Sequence, residues 1–216
     1  MGIDFKGQND RLIHVIGCNE TVRAVAIRYG ELANHMAKAL DAGPLAAETL
    51  SRASGAVLMM ASLLKARQQV GLQINGSGPL HEVYAVSDAS LNVRATIAGL
   101  HCDSTSFKEG MGPGCIQVIR KLDENEPAYT GVIDLEQGEI AADLARYFLT
   151  SEQIPTAIAL GERLTPQGIT SASGFLIQAL PGASIQDLDA IVQRVETFGN
   201  LSKHLDLSPN KILKQL

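Results

Sequence analysis

Apolar and polar residues alternate along 21–29 (TVRAVAIRY), which predicts a strand. Residues 31–40 then follow a helical period that ends near Gly43-Pro44. The stretch 45–67 is rich in Ala, Leu and Met and apolar around most of a helical circumference, so it predicts a buried helix at the centre of the core. Residues 70–74 begin a strand-rich middle. Asn75-Gly76-Ser77-Gly78-Pro79 is a turn signal between that run and a second one reaching Val86. Asp88-Ala89-Ser90 makes the next turn and 91–97 the next strand. Residues 101–114 are polar and Gly-rich and read as a long hairpin loop, after which 116–122 and 128–135 return to strand. A turn at Gly138 leads into an amphipathic helix with Ile140, Leu144, Tyr147 and Phe148 on one side. Pro155 bars its continuation, and two more strand-like runs precede Leu180-Pro181-Gly182.

Beyond Pro181 the pattern changes. Ser184 suits an N-cap and Asp187 supports the first turn. Ile185, Leu188, Ile191, Val192, Val195 and Phe198 then form one apolar stripe at helical spacing. Ser208-Pro209 starts another helix with Ile212, Leu213 and Leu216 on its apolar side. Early helices followed by a block of antiparallel strands predict an α+β fold, an antiparallel β-rich core with buried helices. The pattern change places a boundary near Gly182, giving a core of residues 1–182 and a helical linker region of residues 183–216. Each of the six stripe residues would contribute roughly 1.5–3 kcal/mol if fully buried, less the entropy of ordering the tail. A tail of this kind is ordered when docked and adhesive when released.

With 216 residues, 45% apolar and 19% charged, the chain has the composition of a soluble globular protein. A net charge of −5 without any long Lys/Arg run argues against nucleic acid as a partner. The opening MGIDFKGQNDR lacks a leader's apolar centre, and the longest apolar run, 56–64, is too short to span a bilayer. A cytoplasmic location with no membrane partner is the resulting expectation. Cys18, Cys102 and Cys115 have no C-x-x-C spacing and read as three reduced thiols.

Each fragment of recognisable chemistry has a plainer explanation. Ser62-Leu63-Leu64-Lys65 matches S-x-x-K, but in the most apolar helix and without its partner motifs. Gly76-Ser77-Gly78 and Gly110-Met111-Gly112-Pro113-Gly114 lack the G-K-S/T that completes a P-loop. His101-Cys102-Asp103 places three ligand types side by side, where adjacent residues rarely reach one metal together. Glu136, Glu139 and Asp143 crowd the start of a helix, where acidic residues meet the helix dipole favourably. No active site assembles, and the expectation is a protein without enzyme activity, catalytic residues or a metal site.

The words GEIAADLARYF, SEQIP and GFLIQALPGA, in that order between Pro127 and Ala183, closely resemble the redox-regulated thirty-three-kilodalton heat-shock chaperone family of bacteria. Asp10-Arg11-Leu12 resembles its opening D-R-L. Leu72-Gln73-Ile74 with Gly76-Ser77-Gly78-Pro79-Leu80 resembles its L-x-I-x-G-x-G-P-L hairpin. The likeness covers most of residues 10–183, although 101–114 lacks the family's G-x-x-x-G-G-x-L pattern. It implies an ATP-independent holdase that binds unfolded client proteins, works as a homodimer and serves heat-shock and other stress responses. It also implies a switch of four zinc-bound thiolates in C-x-C and C-x-x-C. This sequence has neither motif, so no cofactor is expected in this chain and no zinc ligand is carried over. Truncation of a longer chain is the favoured explanation, ahead of proteolysis or a natural form without the switch.

Client contacts are expected on the tail stripe and on apolar core surface that it uncovers. Replacing Leu188 and Val195 by Asp is expected to loosen the tail. The alternative is a non-chaperone protein-interaction module that kept the fold and lost the switch.

Overall fold

A computed structural model describes residues 3–4, 9–123 and 126–216. Most of the opening stretch read for a leader therefore lies outside the described residues. Two antiparallel sheets enclose one long helix. The six-stranded sheet has the order β1-β6-β5-β4-β7-β8, comprising β1 (Ile3–Asp4), β4 (Gln69–Gly76), β5 (Glu82–Asp88), β6 (Asn92–Ile97), β7 (Gly114–Lys121) and β8 (Tyr129–Asp134). The four-stranded sheet has the order β2-β3-β10-β9, comprising β2 (Arg11–Gly17), β3 (Val22–Arg28), β9 (Thr156–Thr165) and β10 (Gly168–Ala179). Helices α1 (Gly30–Ala39), α2 (Pro44–Ala61), α3 (Phe107–Met111), α4 (Ile140–Ser151), α5 (Ile185–Phe198) and α6 (Pro209–Gln215) complete the α+β fold.

Helix α2 is buried on nearly every face, as its composition predicts, and packs on strands of both sheets. Gly55 makes room for the Tyr29 ring, between β3 and α1: a Cβ there would lie 2.4 Å from the Tyr29 hydroxyl. The helix ends at Ala61, short of the expected 67, because Ser62 closes it and Arg67 takes a left-handed φ of 70° as the chain reverses into β4. The six-stranded sheet turns Val70, Leu72 and Ile74 of β4 onto the core. Leu72 is paired with Ala85 and Val118, and Ile74 with Val83 and Ile116.

The stretch 101–114 is not a hairpin loop. It contains α3, capped by the Ser106 hydroxyl, and carries the chain from β6 across to β7, which are not neighbours. Its glycines meet those of 76–78 in a backbone seam. The N–H groups of Ser77, Gly78 and Leu80 donate to the carbonyls of Pro113, Met111 and Gly110, at 2.9, 2.7 and 2.8 Å. A Cβ on Gly114 would fall 1.9 Å from the Asn75 carbonyl oxygen, so this approach requires glycine.

Strand β2 has no counterpart among the predicted elements. Just before it, Asp10 caps α1 from a distance: its carboxylate accepts from the backbone N–H of Glu31 (3.1 Å) and Leu32 (2.8 Å). The D-R-L word thus fastens the start of β2 to α1. Burial pushes the Asp10 carboxyl above its ordinary range, against the lowering effect of those two bonds.

Candidate functional site

The four-stranded sheet is covered on both faces, and the two faces differ in chemistry. Val25 and Ile27 of β3 and Ala172 and Leu176 of β10 point inward and join the main core. The outer face carries Val22, Ala24 and Ala26 of β3, Ala157 and Ala159 of β9, and Phe175 and Ile177 of β10, in a second apolar cluster. Ser171 and Ser173 share that face. Small side chains dominate it, so backbone segments can lie close against the sheet. The tail after Gly182 fills this space.

From Phe198 onward the tail is firmly seated. Phe198, Leu201, Leu205 and Ile212 are buried in the second cluster. The Phe198 ring stands edge-on to Phe175 at 5.7 Å and packs on His204 at 4.4 Å. Both serine hydroxyls donate to the Leu205 carbonyl, Ser171 at 2.9 Å and Ser173 at 3.3 Å. Arg163 of β9 grips Asp206 with two nitrogens at 3.1 and 3.0 Å. A bidentate bond of this kind holds the Asp206 carboxyl below its usual range.

The first half of the tail sits differently. Ser184 and Asp187 form a full capping box, so the helix start is well specified. Of the six stripe residues, however, only Phe198 is buried. Ile185 is 74% and Val192 55% exposed, while Leu188, Ile191 and Val195 are half-buried. Under the helix lies a groove of about 490 Å³. Leu188, Ile191 and Val192 line it from α5, Ala145 and Leu149 from α4, and Ile177 and Ala179 from β10. Leu149 is itself 56% exposed. The helical period identified the stripe but carried no information about its depth, because the opposing surface is built from residues far away in sequence.

The other sequence candidates have structural roles. Ser62 donates to the Met59 carbonyl at 2.7 Å as the closing residue of α2. The acidic group before α4 does more than complement a dipole. Asp143, fully buried, accepts from the N–H groups of Glu136, Gln137 and Gly138 and fixes that turn. Glu139 and Glu162 both bind Arg52, at 2.8 Å each, tying α2 to β9 and to the start of α4. Burial raises the Glu162 carboxyl, and Arg52 offsets this only in part.

Cys18 lies exposed after β2, Cys102 follows β6, and Cys115 is in β7. Among the described residues, no group of three or more His, Cys, Asp or Glu is arranged to hold a metal ion. These residues therefore do not fit the four-thiolate zinc site that the resemblance implied, and no step is derived through zinc. No helix among the described residues is long and apolar enough to cross a membrane.

Comparison with known proteins agrees with this architecture. The model of the family described as Hsp33 protein matches residues 10–216. The 33 kDa chaperonin of Ruminiclostridium cellulolyticum is 33% identical over 96% of this chain, which spans 74% of that protein. That of Thermodesulfovibrio yellowstonii is 37% identical over 80% of this chain, which spans 62% of it. The crystal structure of the 33 kDa chaperonin from Thermotoga maritima superposes with a TM-score of 0.90. It covers 96% of this chain and 74% of its own at 24% identity, a likeness of fold.

Proposed function

The chain belongs to the Hsp33 family of chaperones, and from that membership we propose that it is an ATP-independent holdase, which binds unfolding proteins and keeps them from aggregating without chemical turnover. The observation that carries the reading is the uneven docking of the tail. An apolar groove lies open under Leu188, Ile191 and Val192, while Phe198 and the segment after it stay anchored. Apolar client segments enter the groove beside α5. Displacement of that helix then exposes Ile185, Leu188, Ile191, Val192 and Val195 together with Ala157 of β9 and Ile177 and Ala179 of β10. Because α5 hides little of its stripe, lifting it costs far less than opening a sealed core. The relatives' names support unfolded proteins as partners, and a homodimer in the cytoplasm belongs to the same reading.

The test is light scattering from thermally unfolding malate dehydrogenase with the reduced chain present, and again after oxidation. Equal suppression of aggregation in both states is the expected result. Suppression only after oxidation would give Cys18, Cys102 or Cys115 a regulatory role, and no suppression in either state would remove the holdase reading. Leu188→Asp/Val195→Asp is expected to free the tail, read as faster cleavage within residues 183–199 by limited proteolysis.

A further inference from the structure

At one end of the interior, the inward-facing period of each sheet closes on an arginine. In β3, Val25 and Ile27 enter the main core and Arg23 lies on the same face. In β7, Ile116 and Val118 enter it and Arg120 continues that face. The connection from α4 to β9 brings the two together. Glu152 closes α4 and binds Arg120 through Nε at 3.0 Å and Nη2 at 2.8 and 3.0 Å. Just beyond Pro155, the Thr156 hydroxyl accepts from the Gln178 amide at 3.1 Å, and that amide's oxygen accepts from Nε of Arg23 at 2.9 Å.

Arg23 is thus held by Nε alone, on a buried and uncharged partner. Its Nη1 and Nη2, and Nη1 of Arg120, have no acceptor among the described residues and stay open to solvent. Two half-buried guanidinium groups therefore share one carboxylate. Burial and the Arg120 charge hold the Arg23 guanidinium below its ordinary range, against the opposing pull of Glu152. Excess charge in a half-buried place is costly until a counter-charge meets it.

We propose that Arg23 and Arg120 bind an oxyanion of the phosphate class at this end of the fold. The site stands apart from the holdase reading, since neither arginine lines the groove under α5. The class of ligand follows from the donors. A guanidinium is a planar fork that matches carboxylate or phosphate oxygens. A carboxylate has two oxygens in one plane, enough for one fork, and Glu152 already fills that place on Arg120. A phosphate presents its oxygens in tetrahedral directions and can accept from two arginines carried by different sheets.

The test is isothermal titration calorimetry of the full chain with inorganic phosphate and, separately, with ethyl phosphate, against chloride at matched ionic strength. Saturable binding is expected for the wild type, weakened at least tenfold by Arg23→Gln. That substitution removes the unpaired fork and leaves Arg120 on Glu152, so it is not expected to lower the unfolding temperature. Phosphate is expected to raise the unfolding temperature of the wild type and not that of Arg23→Gln. Arg120→Lys keeps a cation for Glu152 but loses the free Nη1. A several-fold loss of binding is expected there, which keeps the test decisive if Arg23→Gln does not fold. Binding of inorganic phosphate assigns the site to the free ion, and binding of ethyl phosphate alone assigns it to a phosphoryl ester. No saturable binding of either overturns the proposal. So does equal binding by the wild type and the two variants, or a thermal shift that chloride reproduces. Suppression of aggregation is expected to be the same in Arg23→Gln and the wild type, so either reading can fail and leave the other standing.

Discussion

Between Ile185 and Val195 the tail crosses the four-stranded sheet with its apolar stripe half in solvent, and from Phe198 to Leu216 the same tail is pressed into that sheet. Both halves are helical and both have good start signals, a capping box at Ser184 and proline after Ser208. Local sequence therefore does not separate them. They differ in what lies opposite. The anchored half meets alanines, serines and Gly161, which let Leu201, Leu205 and Ile212 sink to 3% exposure or less. The loose half bridges from the sheet to α4 and leaves a groove between them. Helix formation and docking are thus separate properties of this tail, and the resemblance between its two helices ends at the helix level.

The sharpest way to break the comparison is to put the same charge into each half. Ile212 is fully buried, and Ile212→Asp would strand a carboxylate among apolar groups, costing roughly 4 kcal/mol or more. Leu188→Asp places the charge at a half-exposed rim and is expected to cost about 1 kcal/mol. Chemical denaturation with a fluorescent probe on the tail is expected to separate the two variants clearly. Similar losses would mean that α5 is docked as firmly as α6. Phe198 sits where the halves join, edge-on to Phe175. Phe198→Ala is expected to cost about 3 kcal/mol and to extend the loose segment toward Leu201, read by amide hydrogen exchange. Ser171→Ala/Ser173→Ala removes both donors to the Leu205 carbonyl, and a loss of roughly 1–2 kcal/mol in tail docking is expected by the same exchange measurement.

Much of the fold was legible because its elements bury one face. The period of 140–148 is the buried face of α4, and the alternation of 70–74 is the core face of β4. Strand β2 escaped for the complementary reason. A strand half-buried at Leu12 and Ile13 and exposed from His14 to Gly17 needs no alternation, and Leu12-Ile13-His14-Val15-Ile16 has apolar residues on either side of one histidine. The tail stripe was legible as a stripe, and Phe198 was correctly placed on it. That the other five remain partly exposed depends on a groove formed by residues 145–149, 155–157 and 177–179, which no local pattern brings together. Likewise Asp143 reads as a helix-dipole residue in sequence, and only the fold reveals three backbone donors around it.

The smallest expected effect concerns acid, and its sign distinguishes the latch from the core. Arg163 holds the Asp206 carboxyl below its ordinary value through a bidentate hydrogen bond on the surface. Its folded pKa is depressed, so the contribution is complete above the unfolded value of about 3.9 and is lost as pH falls through the lower folded value. The core carboxyls Asp10 and Glu162 behave oppositely. Burial raises both, so their contribution is complete below the ordinary range and declines as pH rises through the folded values. Acid should therefore loosen the tail while these two groups do not weaken the core. Because the pair is exposed, salt should mimic acid at neutral pH and the effect should be modest. Limited pepsin digestion between about pH 5 and 3 checks this. Cleavage within residues 199–216 is expected to increase toward the acid end in the wild-type chain, and Asp206→Asn is expected to flatten that dependence. An unchanged dependence in Asp206→Asn would place the acid-sensitive contact elsewhere, and the anchored half would then owe its seating to Phe198, Leu205 and Ile212 alone.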